Sequence, residues 1–154
     1  MPTPRVFAFS SSLPLEHRDQ AERMLFFNNQ QKKIMDGIRA VAKKYGHPKL
    51  VEDGDRLRLR VTSTVETQTL FVSTHGLGPV GAIIFTREEN ALVALYMAVH
   101  EDFSTSGPRA SDKLVVHLFK EFESIACRVK GVEQLHLYLG AQTPIKKSVR
   151  RRRG

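Results

Sequence analysis

Residues 91–139 read ALVALYMAVHEDFSTSGPRASDKLVVHLFKEFESIACRVKGVEQLHLYL. Ala91 to Val99 is apolar throughout, as a central strand covered on both faces must be. A polar loop from His100 to Ser111 follows. Val115, Leu118, Phe119, Phe122, Ile125, Ala126 and Val129 then recur at spacings of three and four, which predicts a helix over 112–129. Ser111 is the predicted N-cap, Asp112 suits the first turn, and Gly131 is placed for the C-terminal cap. Cys127 sits beside Ala126 on this helix, and core packing is its expected role. Gln134 to Leu139 alternates as a last strand, with Leu135, Leu137 and Leu139 on one face and His136 and Tyr138 on the other. The whole is a β-loop-α-β unit. Its loop-to-helix junction is a natural anion site, because first-turn amides lack intrahelical acceptors and the helix dipole favours negative charge.

Upstream, Arg5 to Ser10 reads as a short strand. Ser10-Ser11-Ser12 followed by Pro14 signals a helix start. Helical character is expected to continue to about Tyr45, with Ile34, Ile38, Val41, Ala42 and Tyr45 on one buried face and either a break between two helices or a bend at Asn28-Asn29. Gly46 and His47-Pro48 end that region. A turn at Glu52-Asp53-Gly54-Asp55 leads into a strand over 56–64, where Leu57, Leu59 and Val61 alternate with Arg56, Arg58, Arg60 and Thr62. Thr69 to Thr74 and Val80 to Thr86 are further strands, joined by a turn at 75–79. The expected order is β, α, α, β, β, β, β, α, β. This is an α+β (mixed α/β) domain with a mostly antiparallel central sheet, N-terminal helices and an added parallel strand.

One domain is expected over 1–143, followed by a basic flexible tail over 144–154. The chain of 154 residues carries a net charge of +8. Six of its 24 basic residues, Lys146, Lys147, Arg150, Arg151, Arg152 and Arg153, fall within the last nine positions, leaving 18 against 16 acidic ones. The basicity is therefore local. Such a tail is either simply solvated or binds an anionic polymer or surface by releasing counterions. No apolar run approaches the roughly 18 residues that span a bilayer, and no signal peptide is expected at the N-terminus. The single cysteine permits no internal disulfide, which fits a reducing, cytoplasmic setting. No zinc-ligand spacing occurs, so no metal is expected.

The segment Leu95 to Leu139 resembles the GNAT superfamily of N-acetyltransferases. In that family a central strand ends in a V-x-P-x-[YF]-[RQ]-G-x-G-x-[GA] loop whose amides hold the pyrophosphate of acetyl-CoA. Here the loop reads Val99-His100-Glu101-Asp102-Phe103-Ser104-Thr105-Ser106-Gly107-Pro108-Arg109. Val99, Phe103 and Gly107 match, while Ser104, Thr105 and Arg109 depart from the pattern and Pro108 removes a donor. The family continues past the last strand with another helix and two strands; only 15 residues follow Leu139 here. The resemblance implies a GNAT-like fold with a shortened C-terminus and acetyl-CoA as cofactor, held by Val99, Phe103, Ser104, Thr105, Ser106, Gly107 and Arg109. It also implies an amine acceptor, with Glu101 as the base. The chain would be a divergent acyl-CoA-dependent N-acetyltransferase or a degenerate relative that only binds.

Two other readings stand beside it. Arg56, Arg58 and Arg60 project from one strand face and, with the basic tail, could contact nucleic acid or ribosomal RNA. The commoner role of such a face is to be solvated and to resist edge pairing. A helix on an antiparallel sheet also suits a homodimeric interaction adaptor or chaperone-like protein. His75 and His100 are loop histidines that could act as bases or merely be exposed. No Ser/His/Asp set and no P-loop sequence is present.

Overall fold

The computed structural model describes residues 7–26, 43, 48–61, 66–75, 78–103, 113–138 and 145–149. Nine strands and two short α-helices are found among them, so the fold is mainly β. The strands are β1 Phe7–Ser10, β2 Leu13–Pro14, β3 Pro48–Asp53, β4 Arg56–Val61, β5 Gln68–Thr74, β6 Gly78–Glu88, β7 Ala91–Val99, β8 Gln134–Leu137 and β9 Ile145–Ser148. The helices are α1 Arg18–Phe26 and α2 Leu114–Arg128. Six strands form a large mixed sheet in the order β1-β5-β6-β7-β8-β9, and three form a small sheet, β2-β4-β3.

This corrects the expected α+β, GNAT-like architecture with N-terminal helices. Two segments read as turn or tail are strands, Pro48–Asp53 and Ile145–Ser148. The serine cluster does not cap a helix. Leu13–Pro14 pairs with β4 instead, and a 3-10 turn at Leu15–His17 delays α1 to Arg18. Pro14 is extended, φ −60° and ψ 147°, a conformation its ring permits as readily as a helical start. The helical periodicity over 34–45 lies outside the described residues apart from Lys43.

β3 and β4 form a hairpin because Gly54 takes φ +64° in a two-residue loop between Asp53 and Arg56. β5, β6 and β7 form an antiparallel meander, and β8 adds to β7 in parallel. A parallel partner cannot be reached by a tight turn, so the chain crosses over through α2. β9 then returns antiparallel to β8.

The large sheet is covered on both faces. On one, Leu114, Leu118, Phe122 and Ala126 of α2 meet Leu70, Val72, Ile83, Phe85, Leu92, Ala94, Leu135 and Leu137. Phe122 meets Phe85 edge to face, with ring centroids 5.2 Å apart. On the other, Phe71, Ile84 and Ala98 pack with Ala21 and Met24 of α1 and with Leu13, Leu50, Leu57 and Leu59 of the small sheet. β7 serves both cores through a bulge. Its partners step from Phe85–Ala94 to Ile84–Tyr96, leaving Leu95 extra. Before the bulge Leu92 and Ala94 face α2; after it Met97 and Val99 do.

Phe122→Ala is expected to lower unfolding free energy by about 3–5 kcal/mol, and Val116→Ala, on the exposed side of α2, by less than about 0.5 kcal/mol, read by urea unfolding at constant m.

Candidate functional site at the carboxyl end of the central strand

β8 pairs with β7 only over Ala91 to Ala94, and the Tyr138 amide donates to the Ala94 carbonyl at 3.2 Å. β7 runs five residues further. From Leu95 to Val99 its described ladder is with β6 alone. The crevice beyond the carboxyl ends of parallel strands is where open sheets with crossover helices bind ligands.

The chain leaves β7 through a 3-10 turn, Glu101–Phe103. The His100 amide donates to the Val80 carbonyl at 2.7 Å, and the Phe103 amide donates back to the His100 carbonyl at 2.9 Å. His100 Nδ1 accepts from the Asp102 amide at 3.1 Å. That bond occupies the Nδ1 lone pair and, in the neutral ring, puts the proton on Nε2. In that tautomer Nε2 is the donor toward its surroundings. The nearest Asp102 carboxylate oxygen, 3.9 Å from Nδ1, is beyond hydrogen-bond range.

Phe103 is buried and lies in a run of rings. Its centroid is 6.3 Å from His100 and 6.2 Å from Phe7, which in turn is 5.1 Å from His117 on α2. The run ties β1, the turn after β7 and the first turns of α2 together. α2 begins at Leu114, and Lys113 stands at its N-cap in the left-handed conformation, φ 54° and ψ 45°, with no side-chain capping bond. The amides of Leu114 to Val116 have no intrahelical acceptor, and the dipole end there is positive.

Of the expected cofactor residues, Val99 and Phe103 are buried side chains of the α2-side core. Their role in the described structure is to fix the strand end. Ser104, Thr105, Ser106, Gly107 and Arg109, and the predicted cap Ser111, lie outside the described residues. Glu101 stands in the 3-10 turn one residue beyond His100, and its side chain lies outside them too. Tyr96, unremarked in the sequence because it falls inside an apolar run, sits half-buried beside the bulge of β7. Burial pushes its phenol up to about 12.

The arginine face of β4 is partly committed. Arg56 donates to the Ser12 hydroxyl at 3.0 Å and to the Ser12 carbonyl at 2.9 Å. Arg58 donates to Asp53 at 2.9 Å, and Arg60 is exposed opposite Lys49. On the other face of the small sheet, Glu52 is taken by Arg18 of α1 at 2.6 Å. Of the tail, Lys146 and Lys147 lie on β9, where Lys147 donates to Glu123 of α2 at 2.9 Å. Arg150, Arg151, Arg152 and Arg153 lie outside the described residues. Cys127 is exposed, which corrects its expected place in the core. The helix begins two residues later than predicted, and the buried set 114, 118, 122 and 126 leaves position 127 on the flank.

Among the described residues no group of three or more His, Cys, Asp or Glu could hold a metal, and no helix is long and apolar enough to cross a membrane. A scan against protein-family models and a search of curated proteins found no match for the chain.

The Tyr96 phenol loses its proton near pH 10 when unfolded and near pH 12 when folded. Its contribution to stability is therefore full below pH 10 and is lost as pH rises toward 12. Tyr96→Phe is expected to flatten the fall in stability between those values, measured by urea unfolding across that range; an unchanged alkaline limb would count against this assignment.

Proposed function

We propose that the chain binds the phosphates of an acyl-CoA thioester where β7 meets α2 and passes the acyl group to an amine, as a divergent N-acyltransferase. One observation carries the reading. The only parallel pair in the described sheet, β7–β8, is joined by a crossover that returns through an α2 N-terminus lacking a side-chain cap. A positive dipole end and first-turn amides beside the end of β7 support an anionic group such as a pyrophosphate there. The resemblance of Leu95 to Leu139 to the acetyl-CoA segment of the GNAT superfamily supports the same ligand class.

In this reading the amine attacks the thioester carbonyl, the thiolate leaves, and the protein contributes positioning and a proton acceptor. Glu101, two residues past the end of β7, takes the proton from the attacking amine. Lys113 adds a positive charge next to the phosphates. A nucleic-acid role draws less support, because Arg56 and Arg58 are held by Ser12 and Asp53.

The test is thermal unfolding of the full chain with acetyl-CoA, with CoA and with inorganic pyrophosphate. A ligand bound only by the folded state and present at a hundred times its Kd stabilises by about 2.7 kcal/mol. Acetyl-CoA is expected to raise Tm by several degrees, more than pyrophosphate does. Lys113→Asp keeps a residue type that tolerates the left-handed cap and is expected to weaken binding about tenfold. No shift with either CoA compound would sink the reading. A shift that survives Lys113→Asp but vanishes when Arg150 to Arg153 are replaced by serine would assign it to the basic run instead. Where turnover of an amine is detected, Glu101→Gln is expected to lower kcat by about a hundredfold with KM little changed.

A further inference from the structure

β9 ends the large sheet, and among the described residues no strand pairs with its outer side. The Val149 amide donates to the Glu133 carbonyl at 2.9 Å, so the residues two and four places earlier, Lys147 and Ile145, also turn their backbone groups toward β8. Lys146 and Ser148 therefore turn theirs outward. The side chains alternate the other way. Ile145 and Lys147 lie on the α2 side, where Lys147 reaches Glu123; Lys146 and Ser148 lie on the opposite side.

Between β9 and the second half of α2 runs a groove of about 360 Å³, lined by Glu123, Cys127, Leu135, Lys147, Ser148 and Val149. Ile145 lies on the same side of the strand as Lys147 and is 56% exposed. The segment 145–153 carries six basic residues and no acidic one. A second copy paired through this edge would set lysine against lysine, which is unfavourable across strands.

We infer that the outer edge of β9 and the groove beside α2 form a docking site for an extended peptide of alternating acidic and apolar residues. The peptide adds a strand to the sheet, taking the backbone groups of Lys146 and Ser148. Its apolar side chains cover Ile145 and enter the groove over Leu135 and Val149. Its carboxylates lie on the other side, opposite Lys146. The site is distinct from the β7–α2 junction and holds whether or not that junction binds a thioester.

The experiment is fluorescence anisotropy of a labelled heptapeptide alternating glutamate and valine, titrated with the full chain. A lysine–valine heptapeptide and an all-glutamate heptapeptide serve as comparisons. Saturable binding of the glutamate–valine peptide is expected, with each comparison peptide about tenfold weaker. Ser148→Pro removes only an outward-facing donor, and position 147 is already extended, so the strand tolerates it. It is expected to weaken binding about fivefold. Lys146→Glu leaves the backbone intact and is expected to weaken binding by a similar factor, which keeps the test decisive if the proline variant fails to fold. Because Cys127 is the only cysteine in the chain and lines the groove, bound peptide is also expected to slow its alkylation. No binding, equal binding of the all-glutamate peptide, binding insensitive to both variants, or unchanged alkylation each overturns the proposal. Concentration-dependent self-association abolished by Ser148→Pro would overturn it in favour of a second copy.

Discussion

The fold depends on a parallel pair that its sequence neighbours cannot make locally. β7 and β8 run the same way, so the chain between them must travel back over the sheet. The crossover is α2, and it is the reason β7 has no wet face. Once α2 covers one side and α1 with the small sheet covers the other, every residue of β7 must be compatible with burial. The burial of seven of its nine residues, with Tyr96 and Met97 partly open, reflects that demand.

Two cores share this one strand, and the bulge at Leu95 lets them do so. A regular strand would give each face every second residue to its end. The extra residue changes parity, so Val99 joins the α2 side while Tyr96 and Ala98 turn to the other. Bulges increase local twist and re-aim side chains. Here the effect falls at the point where β8 stops pairing and the chain turns toward α2. The half-burial of Tyr96 and the run of rings from His117 to His100 follow from that geometry.

How much was legible in the sequence follows from which signals are local. β7 was readable to the residue, because nine consecutive apolar positions admit few alternatives. The stripe of α2 and the alternation of Leu57 and Leu59 were equally plain. β3 was missed because Lys49, Glu52 and Asp53 are polar and only Leu50 is buried; its strand state comes from pairing with β4. β9 was missed for the same reason, since all four of its residues are exposed and charge reads as tail. These two omissions and an N-terminal helix placed too early shifted the expected class toward α+β. At the site, the motif could name the turn after β7, but the helix starts after Lys113 and not after the expected cap Ser111. The motif could not show that Val99 and Phe103 serve the core, that Asp102 occupies His100 Nδ1, or that Cys127 leaves the buried stripe.

The pairing of β1 with β5 brings Phe7 opposite Thr74 and closes a loop that contains α1 and the whole small sheet. Closing a flexible loop of that size costs about 4 kcal/mol of chain entropy. On β1 itself only four paired residues and two half-buried phenylalanines offset it, the rest coming from α1 and the small sheet packed on the large one. The meander from β5 to β7, by contrast, is joined by short turns and gains its hydrogen bonds almost without closure cost. The two ends of the same sheet therefore stand at different depths on the scale of local opening, and the amides of β1 are the ones whose exchange with solvent precedes global unfolding.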